Sequence, residues 1–194
     1  MPNAAGQTDP TVLEAARRGD QHAFRTLYLQ HAGAVFRLVR SLGVPAGDVD
    51  DAVQEVFLTA FRKLDSFGGE ERFFPWLCRI AVYVSKRQLS NAYWWNRLHD
   101  LFRQEPMAAA PPGPEADARR RERVARVEAV LGRIAEKKRT VLVLRDLMEF
   151  SEEETATIVG APRGTVATRL HHARRDFERL AKKMRLSPGH EGED

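Results

Sequence analysis

Apolar residues recur at steps of three and four along most of the chain, the period of amphipathic helices. Asp9-Pro10 places a capping residue before a proline at the first helical position, which predicts a short helix ending at Gly19. Asp20 caps a longer one. Its inner stripe is Phe24, Leu27, Tyr28, Val35, Leu38, Val39 and Leu42, and Gly43 and Pro45 stop it. Asp48 opens a third helix. Ala52, Val53, Val56, Phe57, Ala60, Phe61 and Leu64 form its apolar stripe, and Asp51, Gln54, Glu55, Arg62 and Lys63 its polar face. Gly68-Gly69 interrupts the chain, and an aromatic-rich fourth helix is predicted over about 72–92. There Phe74, Trp76, Leu77 and Ile80 have core spacing. No segment keeps strand alternation and no hairpin turn signal occurs, so the fold class expected is all-α.

Pattern gives way to composition between Gln104 and Asp117. Four prolines and a glycine fall within Pro106–Pro114, and such a stretch reads as a semi-extended linker. Two small helical domains are therefore expected, over 10–102 and 118–186, joined by a flexible linker over 103–117. The second opens on a basic turn, Arg119, Arg120, Arg121 and Arg123, and residues 187–194 are expected to be disordered.

The net charge of the 194-residue chain is only +4, but its distribution is uneven. Arg163 to Arg185 holds eight Arg or Lys against two acidic residues, and Asp146 to Glu154 holds five acidic residues and no basic one. A contact surface with polarity follows. No apolar run approaches the roughly 20 residues that span a bilayer, and the N-terminus has no secretory pattern, so a cytoplasmic protein without membrane insertion is expected. Cys78 stands alone in an apolar stretch and reads as a small buried hydrophobe.

The sharpest motif runs from Ser151 to Leu170. Ser151 and Glu154 form a capping box for a short helix. Gly160 permits the positive φ that ends it, Thr165 is placed to cap the next helix, and Val166 and Leu170 face inward. A short helix, a glycine turn and a basic second helix make a helix-turn-helix, whose second helix enters the DNA major groove. Arg163, Thr165, Ala167, Thr168, Arg169, His171, His172, Arg174 and Arg175 occupy that region, and Arg169, Arg174 and Arg175 are placed for phosphates or guanines. His171 and His172 project about 100° apart on a helix, which argues against a shared metal. No metal, cofactor or catalytic constellation is expected: there is no glycine-rich phosphate loop, no His-Glu-x-x-His and no Ser-His-Asp set.

Arg139, Leu144, Arg145, Phe150-Ser-Glu-Glu-Glu-Thr-Ala and Gly164-Thr-Val-Ala-Thr-Arg-Leu-His-His-Ala-Arg together resemble region 4 of the extracytoplasmic-function (ECF) sigma factors. Gly19-Asp20, Ala23-Phe24, Leu27-Tyr28, Asp51-Ala-Val-Gln-Glu-Val-Phe-Leu, Leu64-Asp-Ser-Phe67 and Phe74-Pro-Trp-Leu-Cys-Arg-Ile-Ala81 resemble region 2. The resemblance covers about 10–95 and 120–183 and implies a dissociable subunit of bacterial RNA polymerase. It implies that Asp51, Gln54 and Glu55 meet core polymerase. It implies that Phe67, Arg79, Tyr83, Lys86 and Arg87 hold the melted −10 strand, with Tyr93, Trp94 and Trp95 as further aromatic candidates. Arg163, Thr165, Thr168, Arg169, His171, His172, Arg174 and Arg175 then read the −35 duplex, the linker threads toward the polymerase cleft, and an anti-sigma factor supplies regulation.

Three positions depart from the family pattern. Tyr83 stands where the family often has Asn, Ala167 where a basic residue is frequent, and Ala135 where a turn proline is usual. A helix-turn-helix activator or repressor is the alternative reading. It explains 120–185 and leaves the first half unexplained.

Overall fold

The computed structural model describes residues 8–68, 72–102 and 115–184, without the side chains of 91–102 and 115–121. The expected linker core at Pro106–Pro114, the tail 187–194 and the side chains of Tyr93, Trp94 and Trp95 lie outside the described residues.

The described residues form eight α-helices and no strand. Helix α1 (Pro10–Arg17) starts where the Asp9 carboxylate accepts the Thr11 N–H at 2.8 Å. Helix α2 (Gln21–Ser41) starts where Asp20 accepts the N–H groups of His22 and Ala23 at 2.7 and 3.2 Å. Helix α3 (Val49–Arg62) follows a short 3₁₀ turn, and Asp48 precedes it without a side-chain capping bond. Helix α4 (Phe73–Phe102) runs ten residues past the expected end at Ala92, for no glycine or proline interrupts it before Pro106.

In the second half, α5 (Glu115–Gly132) starts slightly before the expected Ala118. Helix α6 (Glu136–Leu142) widens into a π-type turn, Val143–Leu147, in which the Met148 N–H reaches the Val143 carbonyl at 2.9 Å. Glu149, at φ 57°, then reverses the chain so that Phe150 turns inward and is fully buried. Helices α7 (Glu152–Val159) and α8 (Arg163–Lys183) complete the fold.

Leu27, Val35, Leu38, Val56, Leu77 and Ala81 fill the space between α2, α3 and α4, and Leu131, Val141, Leu144, Val166 and Ala173 the space between α5, α6 and α8. Phe74, Trp76, Leu77 and Ile80 are buried, as their spacing predicts, and so is Cys78. The two cores are continuous: α7 packs on α4, and the Phe74 and Phe150 rings stack at 5.6 Å. Beside them the buried Arg139 guanidinium lies over the turn at Gly43, where φ is +93° and a Cβ would stand 3.0 Å from Arg139 Nη1. Glycine serves that turn on both counts.

Candidate nucleic-acid interface

The helix-turn-helix is built by local chemistry. Ser151 Oγ accepts the Glu154 N–H at 3.1 Å, and Glu154 Oε2 accepts the Ser151 N–H at 2.8 Å, so α7 starts on a complete capping box. Gly160 ends it in the left-handed region at φ 61°. Thr165 is not the cap of α8. Pro162 occupies that place, because the fixed φ of proline presets the entry and α8 begins at Arg163, leaving Thr165 inside the first turn. Ile158, Val166 and Leu170 lock the two helices together.

The outer face of α8 presents Arg163, Thr168, His171, His172, Arg174 and Arg175 to solvent, with Thr165 and Arg169 half-buried. Ala167 is also exposed and shortens that face. The acidic run from Asp146 to Glu154 meets this basic helix directly. Arg174 donates from Nε and Nη2 to Asp146 at 2.9 and 2.7 Å, a bidentate pair that raises its pKa above the ordinary arginine value. Arg163 Nε donates to Glu152 at 3.4 Å. Lys138 of α6 donates to Asp176 of α8 at 2.8 Å, and this bond, with a second from Arg179, holds the Asp176 carboxyl below its usual range. The sequence singled out the acidic run but not its partners, since pairs 11 and 28 residues apart leave no local pattern. The rings of His171 and His172 meet edge to face at 5.6 Å, and among the described residues no group of His, Cys, Asp or Glu stands together as a metal site.

The first half carries a second surface. On α3, Asp51 and Gln54 are exposed, while Glu55 is half-buried and pairs with Arg87 of α4. Gln88 Nε2 also approaches Glu55, at 3.4 Å. On α4, Arg79, Tyr83, Lys86 and Arg87 are exposed at steps of three and four, and Tyr83 is 63% exposed. An exposed tyrosine flanked by cations on one helix face offers a stacking platform beside phosphate donors. Phe67 is placed differently from its fellow candidates. It is only 4% exposed, its ring lies against Phe73 and Trp76 at 5.8 and 5.2 Å, and the Arg17 guanidinium sits 5.6 Å from the ring centroid. Arg17 also donates to the Phe67 carbonyl. Aromatic burial thus holds this ring in the core instead of presenting it.

An all-helical chain with a basic helix-turn-helix at one end and a cationic, tyrosine-bearing helix at the other has the build of a DNA-binding transcription protein. Comparison makes the class specific. The Sigma-70 region 2 family matches residues 27–94, and the Sigma-70, region 4 family matches residues 125–177. RNA polymerase sigma factor NccH of Alcaligenes xylosoxydans xylosoxydans is 34% identical over 188 residues, covering 92% of this chain and 100% of that one. The ECF RNA polymerase sigma-E factor of Escherichia coli K12 is 35% identical over 174 residues, covering 86% of this chain and 91% of its own. The solved structure of CnrH in complex with the cytosolic domain of CnrY, CnrH being a sigma factor of Cupriavidus metallidurans, matches with a TM-score of 0.69 at 30% identity. That match covers 90% of this chain and 97% of CnrH as solved. The chain belongs to the ECF sigma factors of RNA polymerase. A regulator with only a helix-turn-helix has no place for the region 2 match.

Proposed function

We propose that this chain confers promoter specificity on core RNA polymerase in the cytoplasm through three surfaces and performs no chemistry of its own. Asp51, Gln54 and Glu55 on α3 meet the polymerase. Arg79, Tyr83, Lys86 and Arg87 on α4 hold the melted −10 strand, with Phe67 acting through its packing on Phe73 and Trp76 at the start of that helix. The exposed residues of α8, Arg163, Thr168, His171, His172, Arg174 and Arg175, together with Thr165 and Arg169, meet the −35 duplex. Residues 10–102 and 118–186 carry the two DNA tasks, and 103–117 joins them.

The observation that carries this reading is the order of two sigma regions along one chain, each with its own cationic helix face. Region 4 needs a helix that fits the major groove and donors at its exposed face. Region 2 needs a surface that stacks a splayed base and grips a single strand's backbone. Arg174 keeps guanidinium N–H groups beyond the two given to Asp146, so the pair orients it without exhausting it. CnrH was solved with the cytosolic domain of another protein bound, and an anti-sigma factor that occupies these same surfaces is the partner proposed here.

The test is run-off transcription with purified core polymerase and this chain as the sole sigma factor, with sequencing of transcript starts. Starts that share one −35 and one −10 element are expected, and removal of the chain abolishes them. Transcription that is no more promoter-specific than with core polymerase alone overturns the reading.

A further inference from the structure

The face of α8 assigned above to the −35 duplex is not uniform, and its parts suit different partners on DNA. Val166, Leu170 and Ala173 are buried and fix which way the helix is turned. At about 100° per residue, the line opposite them runs through Gly164, Thr168, His171 and Arg175, and all four are exposed. Arg163 and Arg174 stand to one side of that line. Carboxylates hold both: Glu152 of α7 takes Arg163, and Asp146 takes Arg174.

Thr168 Oγ1 donates to the Gly164 carbonyl at 2.9 Å. Its one hydroxyl hydrogen is thus used within the helix, and the exposed side chain is left with a methyl group and an acceptor oxygen. Ala167, exposed beside it, adds a second methyl and no polar side-chain atom. Gly164 has no side chain, and nothing stands within 4 Å of where a Cβ would be, so Thr168 is the first group to project along the line. Arg175, further along it, differs from Arg174. It makes no ion pair or hydrogen bond among the described residues, so its whole donor fork is open. In the major groove only thymine presents a C5-methyl group, and guanine presents two acceptors that one arginine fork meets together.

We infer that α8 reads a thymine through the methyl groups of Thr168 and Ala167 and a guanine through Arg175, while Arg163 and Arg174, oriented by their carboxylates, grip phosphates. The inference rests on the −35 role given above to α8 and divides that role among its residues. The two base contacts lie about two turns apart, or about 10 Å along the helix. At about 3.4 Å per base pair, the thymine and the guanine fall within about three base pairs of each other.

The experiment uses holoenzyme assembled from core polymerase and the full chain, on a promoter duplex taken from the sequenced transcript starts. Each −35 thymine is replaced in turn by deoxyuridine, which lacks only the methyl, and each −35 guanine by 7-deazaguanine, which lacks the N7 acceptor. Binding is read by gel-mobility shift. One deoxyuridine is expected to weaken binding about fourfold, the factor carried by one buried methyl. One 7-deazaguanine nearby is expected to weaken it about tenfold. Thr168→Ser keeps the hydroxyl bond and loses the methyl, so it is expected to erase most of the deoxyuridine effect and leave the 7-deazaguanine effect. Arg175→Lys is expected to do the reverse, and Arg174→Ala to weaken all duplexes alike. Circular dichroism shows that the variants keep their helices. Analogue effects that are absent, or that persist at full size in both matching variants, overturn the inference. Replacing the whole −35 element by unrelated sequence tells the two failures apart. If that replacement weakens binding, only the division among residues falls. If it changes nothing, the −35 role of α8 falls with it.

Discussion

His31 is a histidine that the fold keeps neutral. It is fully buried in α2, its ring is stacked on Phe74 at 5.4 Å, and its Nε2 lies 3.0 Å from Thr8 Oγ1. Burial pushes its pKa down to about 4, from the ordinary 6.5. The unfolded chain therefore takes up this proton at a higher pH than the folded chain does. Stability is full above about 6.5 and falls as pH drops from there toward about 4. Urea unfolding at pH 7 and pH 5 is expected to show a loss on the order of 1 kcal/mol at the lower pH. His31→Leu is expected to flatten that difference, and an equal loss in the variant would assign it to other groups. His31 was legible in part. It falls at the i, i+4 positions of Leu27 and Val35, which points it inward, but its residue type hides it from an apolar stripe. Phe67 shows the opposite case. Its loop position resembles a strand-binding site, and only its distances to Phe73 and Trp76 reveal a core residue.

Helix by helix, the sequence carried most of its own boundaries, because these ends are set by residues acting over one turn. Asp9, Asp20, Ser151 and Gly160 act where their chemistry says they should. Helix α4 outran its expectation because periodicity fades after Ala92 while nothing there breaks a helix. The π-type turn at Val143–Leu147 leaves no signal of residue type, since it follows from how α6 must re-enter the core at Phe150. The candidate site was legible as residue types on faces, whereas its pairing was not, because Arg174–Asp146 and Arg87–Glu55 join elements far apart in sequence. The capping box yields a direct test at this scale. Ser151→Ala removes the side-chain acceptor for the Glu154 N–H and is expected to cost about 1 kcal/mol in urea denaturation. Glu154→Gln keeps a capping-box residue and is expected to cost less. Equal losses from the two would show that the charge of Glu154, which pairs with Arg72, matters to stability as much as the cap does.

At the scale of the whole molecule, a change of composition near Pro106 reads as a break, yet helices on its two sides share one apolar core. Linker composition reports only on the segment that bears it. Whether the flanking helices meet depends on surfaces, here Phe74 against Phe150 and Arg139 against Gly43, that lie far from that segment in sequence. A shared core couples the unfolding of the halves, and this chain carries its own reporter for it. Its three tryptophans, Trp76, Trp94 and Trp95, all fall in α4, so intrinsic fluorescence follows the first half alone while far-ultraviolet circular dichroism follows every helix. Leu144 is fully buried in the second half, and Leu144→Ala is expected to destabilise by about 2–5 kcal/mol through lost burial and a residual cavity. If the halves unfold together, the fluorescence midpoint in urea moves down with the circular-dichroism midpoint and by the same amount. A fluorescence transition that stays at its original midpoint while part of the circular-dichroism signal is lost earlier would show that the halves unfold independently and that the shared core adds little to their cooperation.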